Sequence, residues 1–240
     1  MTSRISFLLG LCCLFSLPLE ILPAAEPSAL PKYSDAELAR IKKWEKQIAS
    51  FEESDAKTPP KQGGAVFVGS SSIRLWNLEK SFPDVKLPLL NRGFGGSQMA
   101  DTAYFAERLV IKHRPSVVFV YAGDNDIGSK KTPDTILLDY QAFVKQVHAQ
   151  LPETQIVYIG VKPSIKRWQL IEQVRETNKK IATWSEKNPR LHFMDVDAPM
   201  LNAEGQPQAD LFREDGLHLN DKGYAVWSKL ALPYLMQKSE

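Results

Sequence analysis

The chain has 240 residues, enough for one well-packed α/β domain and a leader. Its 43% apolar and 24% charged content is that of a globular protein and excludes intrinsic disorder. The net charge of +2 comes from 30 basic and 28 acidic residues that are interspersed, with no basic block, so nucleic acid is not an expected partner.

Arg4 precedes a largely apolar stretch from Ile5 to Phe15, which continues through Leu17, Leu19, Ile21 and Leu22 to Ala24-Ala25. A basic start, a short apolar core and small residues make up the layout of a secretory signal peptide, so residues 1–25 are expected to direct secretion or periplasmic delivery. The end at Pro23-Ala24-Ala25 fits the small-residue rule only in part. Pro18 and Glu20 interrupt the apolar run, and no stable membrane span is expected in the mature chain. Both cysteines, Cys12 and Cys13, fall inside this leader. Thiol catalysis and cysteine-ligated metals are thereby excluded from the mature protein.

Residues 26–63 read as an N-terminal helix and linker. Ser34-Asp35-Ala36-Glu37 is a capping box, and Leu38, Ile41, Trp44, Ile48 and Phe51 follow at helical spacing. Thr58-Pro59-Pro60 through Gly63-Gly64 ends the segment. From residue 64 to 240 short β-rich runs alternate with longer helical ones. The expected strands are Ala65–Gly69, Leu87–Asn91, Ser116–Ala122, Gln155–Val161 and Leu191–Val196. Helices are expected over Met99–His113, Pro133–Leu151 and Arg167–Lys187, with a last one after Asn220-Asp221 that ends near Pro233. Apolar strands separated by helices predict a three-layer α/β/α sandwich on a five-stranded parallel sheet, flavodoxin-like, with its site at the C-terminal strand ends.

The chemistry-bearing clusters fall at those ends. Gly69-Ser70-Ser71-Ser72 closes the first strand and delivers a hydroxyl there, although a Ser-rich helix cap would look the same. Neither a phosphate loop nor the Gly-x-Ser-x-Gly elbow is present, since Ile73 stands where the second Gly would be. Asn91-Arg92-Gly93-Phe94-Gly95-Gly96-Ser97 lets backbone N–H groups approach a ligand, as an oxyanion donor requires. Tyr121-Ala122-Gly123-Asp124-Asn125-Asp126 offers an amide donor flanked by two carboxylates of structural character; a metal on Asp124 and Asp126 is the lesser reading. Asp215-Gly216-Leu217-His218 puts a carboxylate and an imidazole on one turn. A Ser, a His and an orienting Asp are the parts of a nucleophilic hydrolase. His113, His148 and His192 lack such a neighbour and read as surface or boundary residues. Lys162, Lys166, Arg167 and Trp168 follow the fourth strand and are expected at the mouth of the site.

Taken together, the Ser block, the Gly block, the Gly-x-Asn-Asp block and the C-terminal Asp-x-x-His resemble the SGNH, or GDSL-like, hydrolase family from about Gly64 to Leu235. VGSSSIRLW and NRGFGGSQ look most like its bacterial platelet-activating-factor acetylhydrolase-like and lysophospholipase-like branch. The resemblance implies Ser71 as nucleophile, with Asp215 and His218 completing a catalytic triad. It also implies an oxyanion hole of the Ser71 and Gly96 N–H groups and the Asn125 amide. It implies neither metal nor organic cofactor. Ser70 stands where the family usually has Asp, which leaves Ser70 and Ser72 as alternatives to Ser71. Expected substrates are short acyl esters, with acetylated carbohydrates and lysophospholipids as the two alcohol classes. A binding module that keeps the fold without catalysis and a flavodoxin-like cofactor binder are the rivals; the second leaves Asp215 and His218 without a role.

Overall fold

The computed structural model describes residues 33–236. The expected leader at 1–25, with Cys12 and Cys13, lies outside the described residues. Five apolar runs form β1 (Ala65–Gly69), β2 (Leu89–Gly93), β3 (Val117–Tyr121), β4 (Gln155–Ile159) and β5 (Leu191–Met194). They pair in parallel in the order β2-β1-β3-β4-β5. β2 starts two residues later than the sequence suggests because Pro88 has no N–H to give the ladder. Its carbonyl instead accepts the Ala65 N–H at 2.8 Å, and pairing begins at Leu89.

The helices are α1 (Asp35–Lys42), α2 (Glu45–Lys57), α3 (Ser71–Arg74), α4 (Leu78–Ser81), α5 (Met99–Tyr104), α6 (Ala106–Leu109), α7 (Asp124–Gly128), α8 (Pro133–Gln150), α9 (Ile171–Ser185) and α10 (Asp221–Met236). Every residue of β1 and β3 is buried because helices cover both faces of the sheet. Side-chain alternation sorts the core. Val66, Val68, Val118, Val120, Ile156 and Tyr158 face the layer of α1, α2, α5, α6, α8 and α9. Ala65, Phe67, Val117, Phe119, Tyr121 and Val157 face α3, α4 and α10. The register sets Phe67 opposite Phe119, and their rings stack at 4.4 Å.

The long helices of the sequence pattern are interrupted. The N-terminal stripe breaks after Lys42, so α1 and α2 are separate helices with Trp44 in the corner between them. That corner turns the indole onto Phe94, edge to face at 5.6 Å. The segment expected as Met99–His113 becomes α5, α6 and a 3₁₀ turn at Ile111–His113, with the first break at Phe105 (φ −92°, ψ 12°). There the fully buried Phe105 ring meets both Phe94 and Tyr104 edge to face. The start of the third expected helix is a 3₁₀ stretch, Ile165–Leu170, kinked at Arg167. α10 runs one turn past Pro233. Among the described residues no helix is long and apolar enough to cross a membrane.

With this strand order the connections leave β1 and β3 towards opposite sides of the sheet, which opens a crevice at their C-terminal ends. The loops after β1, β2 and β3 all empty into it.

Candidate active site

β1 ends at Gly69 with φ +132°, where a Cβ would stand 2.0 Å from the Tyr121 carbonyl oxygen. Only glycine makes that turn against the neighbouring strand. The Ser70 N–H donates to the same carbonyl at 2.9 Å, and α3 starts at the next residue. Ser70 and Ser72 are 2% and 1% exposed, whereas Ser71 is half-buried at the N-terminus of α3. Of the three hydroxyls, the Ser71 Oγ is the one within hydrogen-bond distance of an imidazole: His218 Nε2, at 2.9 Å.

His218 sits in a hairpin-like loop closed by the Phe212–Leu219 bridge and by the Arg213 N–H to the His218 carbonyl at 2.8 Å. Its Nδ1 lies 2.5 Å from Asp215 Oδ2. The other Asp215 oxygen accepts the N–H groups of Leu217 and His218, each at 2.9 Å. Partial burial works against ionising Asp215, but the His218 ring and the two amides outweigh it and hold the carboxyl well below its usual range. An ionised Asp215 fixes Nδ1 as the protonated ring nitrogen, which leaves Nε2 as the lone-pair acceptor facing Ser71.

The Gly block leaves β2 through Phe94, whose N–H donates to the Gly69 carbonyl at 2.8 Å. This bond ties the loop to the Ser71 turn. Gly96 has φ +83° and is exposed, and the position of its absent Cβ is 3.5 Å from the Trp44 indole. The corner of α1 and α2 therefore backs the Gly96 loop. Asn125 lies in α7, after β3, and donates one amide N–H to the Ser97 carbonyl at 3.0 Å. Its second amide hydrogen is available to a ligand.

The two acids beside Asn125 are both buried and both accept hydrogen bonds from within the protein. Asp126 is fully buried and accepts the N–H groups of Met99 (3.2 and 3.1 Å) and Gly123 (3.1 Å). Desolvation dominates there and pushes its carboxyl up to about 6 despite the nearby Lys131. Asp124 is buried and accepts hydrogen bonds from Lys162 Nζ at 2.9 Å and from Arg167 Nη1. Burial opposes its charge, yet these two cations hold its carboxyl below the usual range.

Lys162 corrects an expectation. It is 1% exposed rather than at the mouth of the site, because its ammonium turns inward to Asp124 and to the Tyr121 hydroxyl at 3.0 Å. Arg167 is half-buried, and its Nη2 donates to Asn125 Oδ1 at 3.2 Å. The sequence shows only cations after a strand; that they converge on the residue before Asn125 needs the fold. His113 is likewise buried, 3.6 Å from Asp55. His148 and His192 bond to the Thr154 carbonyl (2.9 Å) and the Gln155 side chain (2.7 Å), away from Ser71.

Two cavities, of about 1050 and 210 Å³, open at the opposite, N-terminal edge of the sheet beside Pro115. They carry no Ser-His contact, so the chemistry rather than the volume locates the site.

A family model for GDSL-like lipases and acylhydrolases matches residues 77–226, beginning just after α3. The chain is 28% identical over 174 residues to platelet-activating factor acetylhydrolase IB subunit alpha1 of Homo sapiens, which covers 70% of this chain and 74% of that protein. Its fold is similar to a Streptococcus pneumonia protein provisionally described as a platelet activating factor, with TM-score 0.72 and 21% identity over 84% of this chain and 100% of that one. It is also similar in fold to a carbohydrate esterase family 3 member from Talaromyces cellulolyticus, with TM-score 0.58 and 19% identity over 72% of this chain and 97% of the other.

Proposed function

The chain belongs to the GDSL-like lipase/acylhydrolase family, and from that premise we propose that it is a serine carboxylic ester hydrolase acting on short acyl esters through Ser71, His218 and Asp215. One observation carries this reading: His218 bridges Ser71 Oγ at 2.9 Å and Asp215 at 2.5 Å through its two ring nitrogens. In the proposed reaction Ser71 Oγ bonds to the acyl carbon while its proton passes to His218 Nε2, and Asp215 stabilises the imidazolium. The carbonyl oxygen becomes an oxyanion held by the Ser71 and Gly96 N–H groups and the free Asn125 hydrogen. The ester C–O bond then breaks, and His218 returns the proton to the departing alcohol. Water, deprotonated by His218, attacks the acyl-serine and restores Ser71 as the acid leaves.

The acetyl preference draws on the similarity to an acetylhydrolase subunit over 70% of the chain. Acetylated carbohydrate is the favoured alcohol side and lysophospholipid the alternative. Export after loss of residues 1–25 is part of the proposal, supported by the Arg4-led apolar run. Residues 64–240 would then form the catalytic domain and 26–63 its N-terminal helical segment. N-terminal sequencing of the protein from the extracytoplasmic fraction checks the leader; a chain that still begins at Met1 would sink it.

The direct test is hydrolysis of p-nitrophenyl esters from acetate to palmitate by the wild type and by Ser71→Ala. Activity on acetate and butyrate that disappears in the variant is expected. Rates that rise with acyl length would move the assignment to lipid esters, and full activity in Ser71→Ala would remove it.

A further inference from the structure

We propose that Arg167 is the positioning residue of the oxyanion hole: its guanidinium fixes the Asn125 amide so that one N–H points at the reacting carbonyl. This rests on the reading of Ser71 as nucleophile and Asn125 as oxyanion donor.

The orientation of a side-chain amide is set by its neighbours, and those of Asn125 leave one solution. Arg167 Nη2 lies 3.2 Å from Asn125 Oδ1. A guanidinium has donors only, so the amide oxygen must face it and the NH₂ group must face away. One N–H then meets the Ser97 carbonyl at 3.0 Å, directly beside Gly96 in the chain. The other N–H remains for substrate. A cation on the amide oxygen also draws charge from the nitrogen, which makes that remaining N–H a stronger donor as negative charge develops on the substrate.

Arg167 is itself held from below. Its Nη1 donates to Asp124 Oδ1, while the other Asp124 oxygen takes Lys162 Nζ at 2.9 Å. One carboxylate between two cations leaves a surplus positive charge beneath Asn125, in a setting where Lys162 is 1% exposed. The guanidinium lies over the end of α7, where a Cβ on Gly128 would stand 3.1 Å from its Cζ. Only a forked side chain reaches Asp124 and Asn125 at once, so lysine cannot substitute. The 3₁₀ stretch Ile165–Leu170 that carries Arg167 is tied to the other half of the site by the Lys166 N–H, which donates to the Gly216 carbonyl at 3.0 Å within the Asp215–His218 turn.

The test is a double-mutant cycle of Arg167→Ala and Asn125→Ala, read as kcat and KM on p-nitrophenyl acetate. Arg167→Ala is expected to lower kcat by about 10- to 100-fold with KM within about twofold, because the amide acts on the transition state. In the Asn125→Ala background the same change should cost less than about twofold, since the group it positions is gone. A merely structural arginine would cost the same factor in both backgrounds, and that additivity would overturn the proposal. Arg167→Lys, which keeps the charge against Asp124, completes the cycle if the alanine variant does not fold. It too should lose kcat, and wild-type kcat in Arg167→Lys counts against the forked geometry. Retention of activity in Ser71→Ala fails the underlying esterase reading instead, so the two failures are distinguishable.

Discussion

At the residue scale the proposed chemistry depends on polar side chains whose orientation is set by their partners: His218 lies between Ser71 and Asp215, and Asn125 is held by Ser97 and Arg167. Asp215 takes two amides on one oxygen and the imidazole on the other, so its charge is spent on orienting His218. Asn125→Ala removes one oxyanion donor and should lower kcat by on the order of 10²–10³ on p-nitrophenyl acetate, with KM little changed. A loss confined to KM would place Asn125 in binding rather than in transition-state stabilisation. Asp126 supplies a prediction about pH. Burial raises its carboxyl to about 6 in the folded state, against an ordinary value near 4 in the unfolded chain. The sign follows from proton uptake: between those values the folded state binds more protons, so stability falls as pH rises from about 4 to about 6. Urea melts of wild type and Asp126→Asn across that window should therefore shift in favour of the variant as pH increases. Parallel curves would show that Asp126 does not carry the dependence.

The elements matter because several are short and act as mounts. α3 has four residues, and its place is set by the Gly69 turn and by Tyr224, whose hydroxyl donates to the Ser72 carbonyl at 2.8 Å from α10. The α1–α2 pair is clamped to the sheet domain by ion pairs from Arg40 to Asp101, Arg108 to Glu45 and Glu52, and Arg92 to Asp55. The Arg92 and Asp55 side chains are only 6% and 15% exposed. Asp55→Ala strands a buried guanidinium and should cost about 3 kcal/mol in chemical denaturation. A loss below about 1 kcal/mol would mean the pair behaves as a surface bridge. The clamp also seats Trp44 against Gly96. Trp44→Ala should lower turnover several-fold at unchanged secondary structure, as expected when a packed neighbour no longer holds a site loop. An unaltered kcat would confine α1–α2 to a stabilising role.

At the scale of the whole molecule, two apolar layers on one sheet hold the strand ends in register and so hold the site. Trp227 of α10 is fully buried against Trp76, Tyr121 and Tyr224. Trp227→Ala should lose about 3–5 kcal/mol, a large part of the stability of a domain this size, and appear as a markedly lower Tm. Near-wild-type stability would show that this layer is not what supports the α3 face.

Much of this was legible in the order of residues. The apolar runs expected at Ala65–Gly69 and Ser116–Ala122 announced parallel strands, observed at Ala65–Gly69 and Val117–Tyr121, and the polar clusters at their ends followed from α/β topology. Asp215 and His218 could be paired from their spacing alone, since three residues fit within one turn. Local chemistry is readable wherever neighbours in sequence are neighbours in space. The breaks at Lys43–Trp44 and Phe105 were not readable, because an unbroken helical stripe satisfies the same periodicity and only the packing of Trp44 and Phe105 on Phe94 requires the corner. Lys162 looked like a surface cation for the same reason: its partner Asp124 is 38 residues away. The meeting of Ser71 with His218 spans 147 residues. Composition and periodicity carry the layers of the sandwich and the ends where chemistry can sit. Which of three serines faces the imidazole, and which arginine faces the amide, is decided by contacts between distant segments, and these exist only once the sheet has closed its crevice.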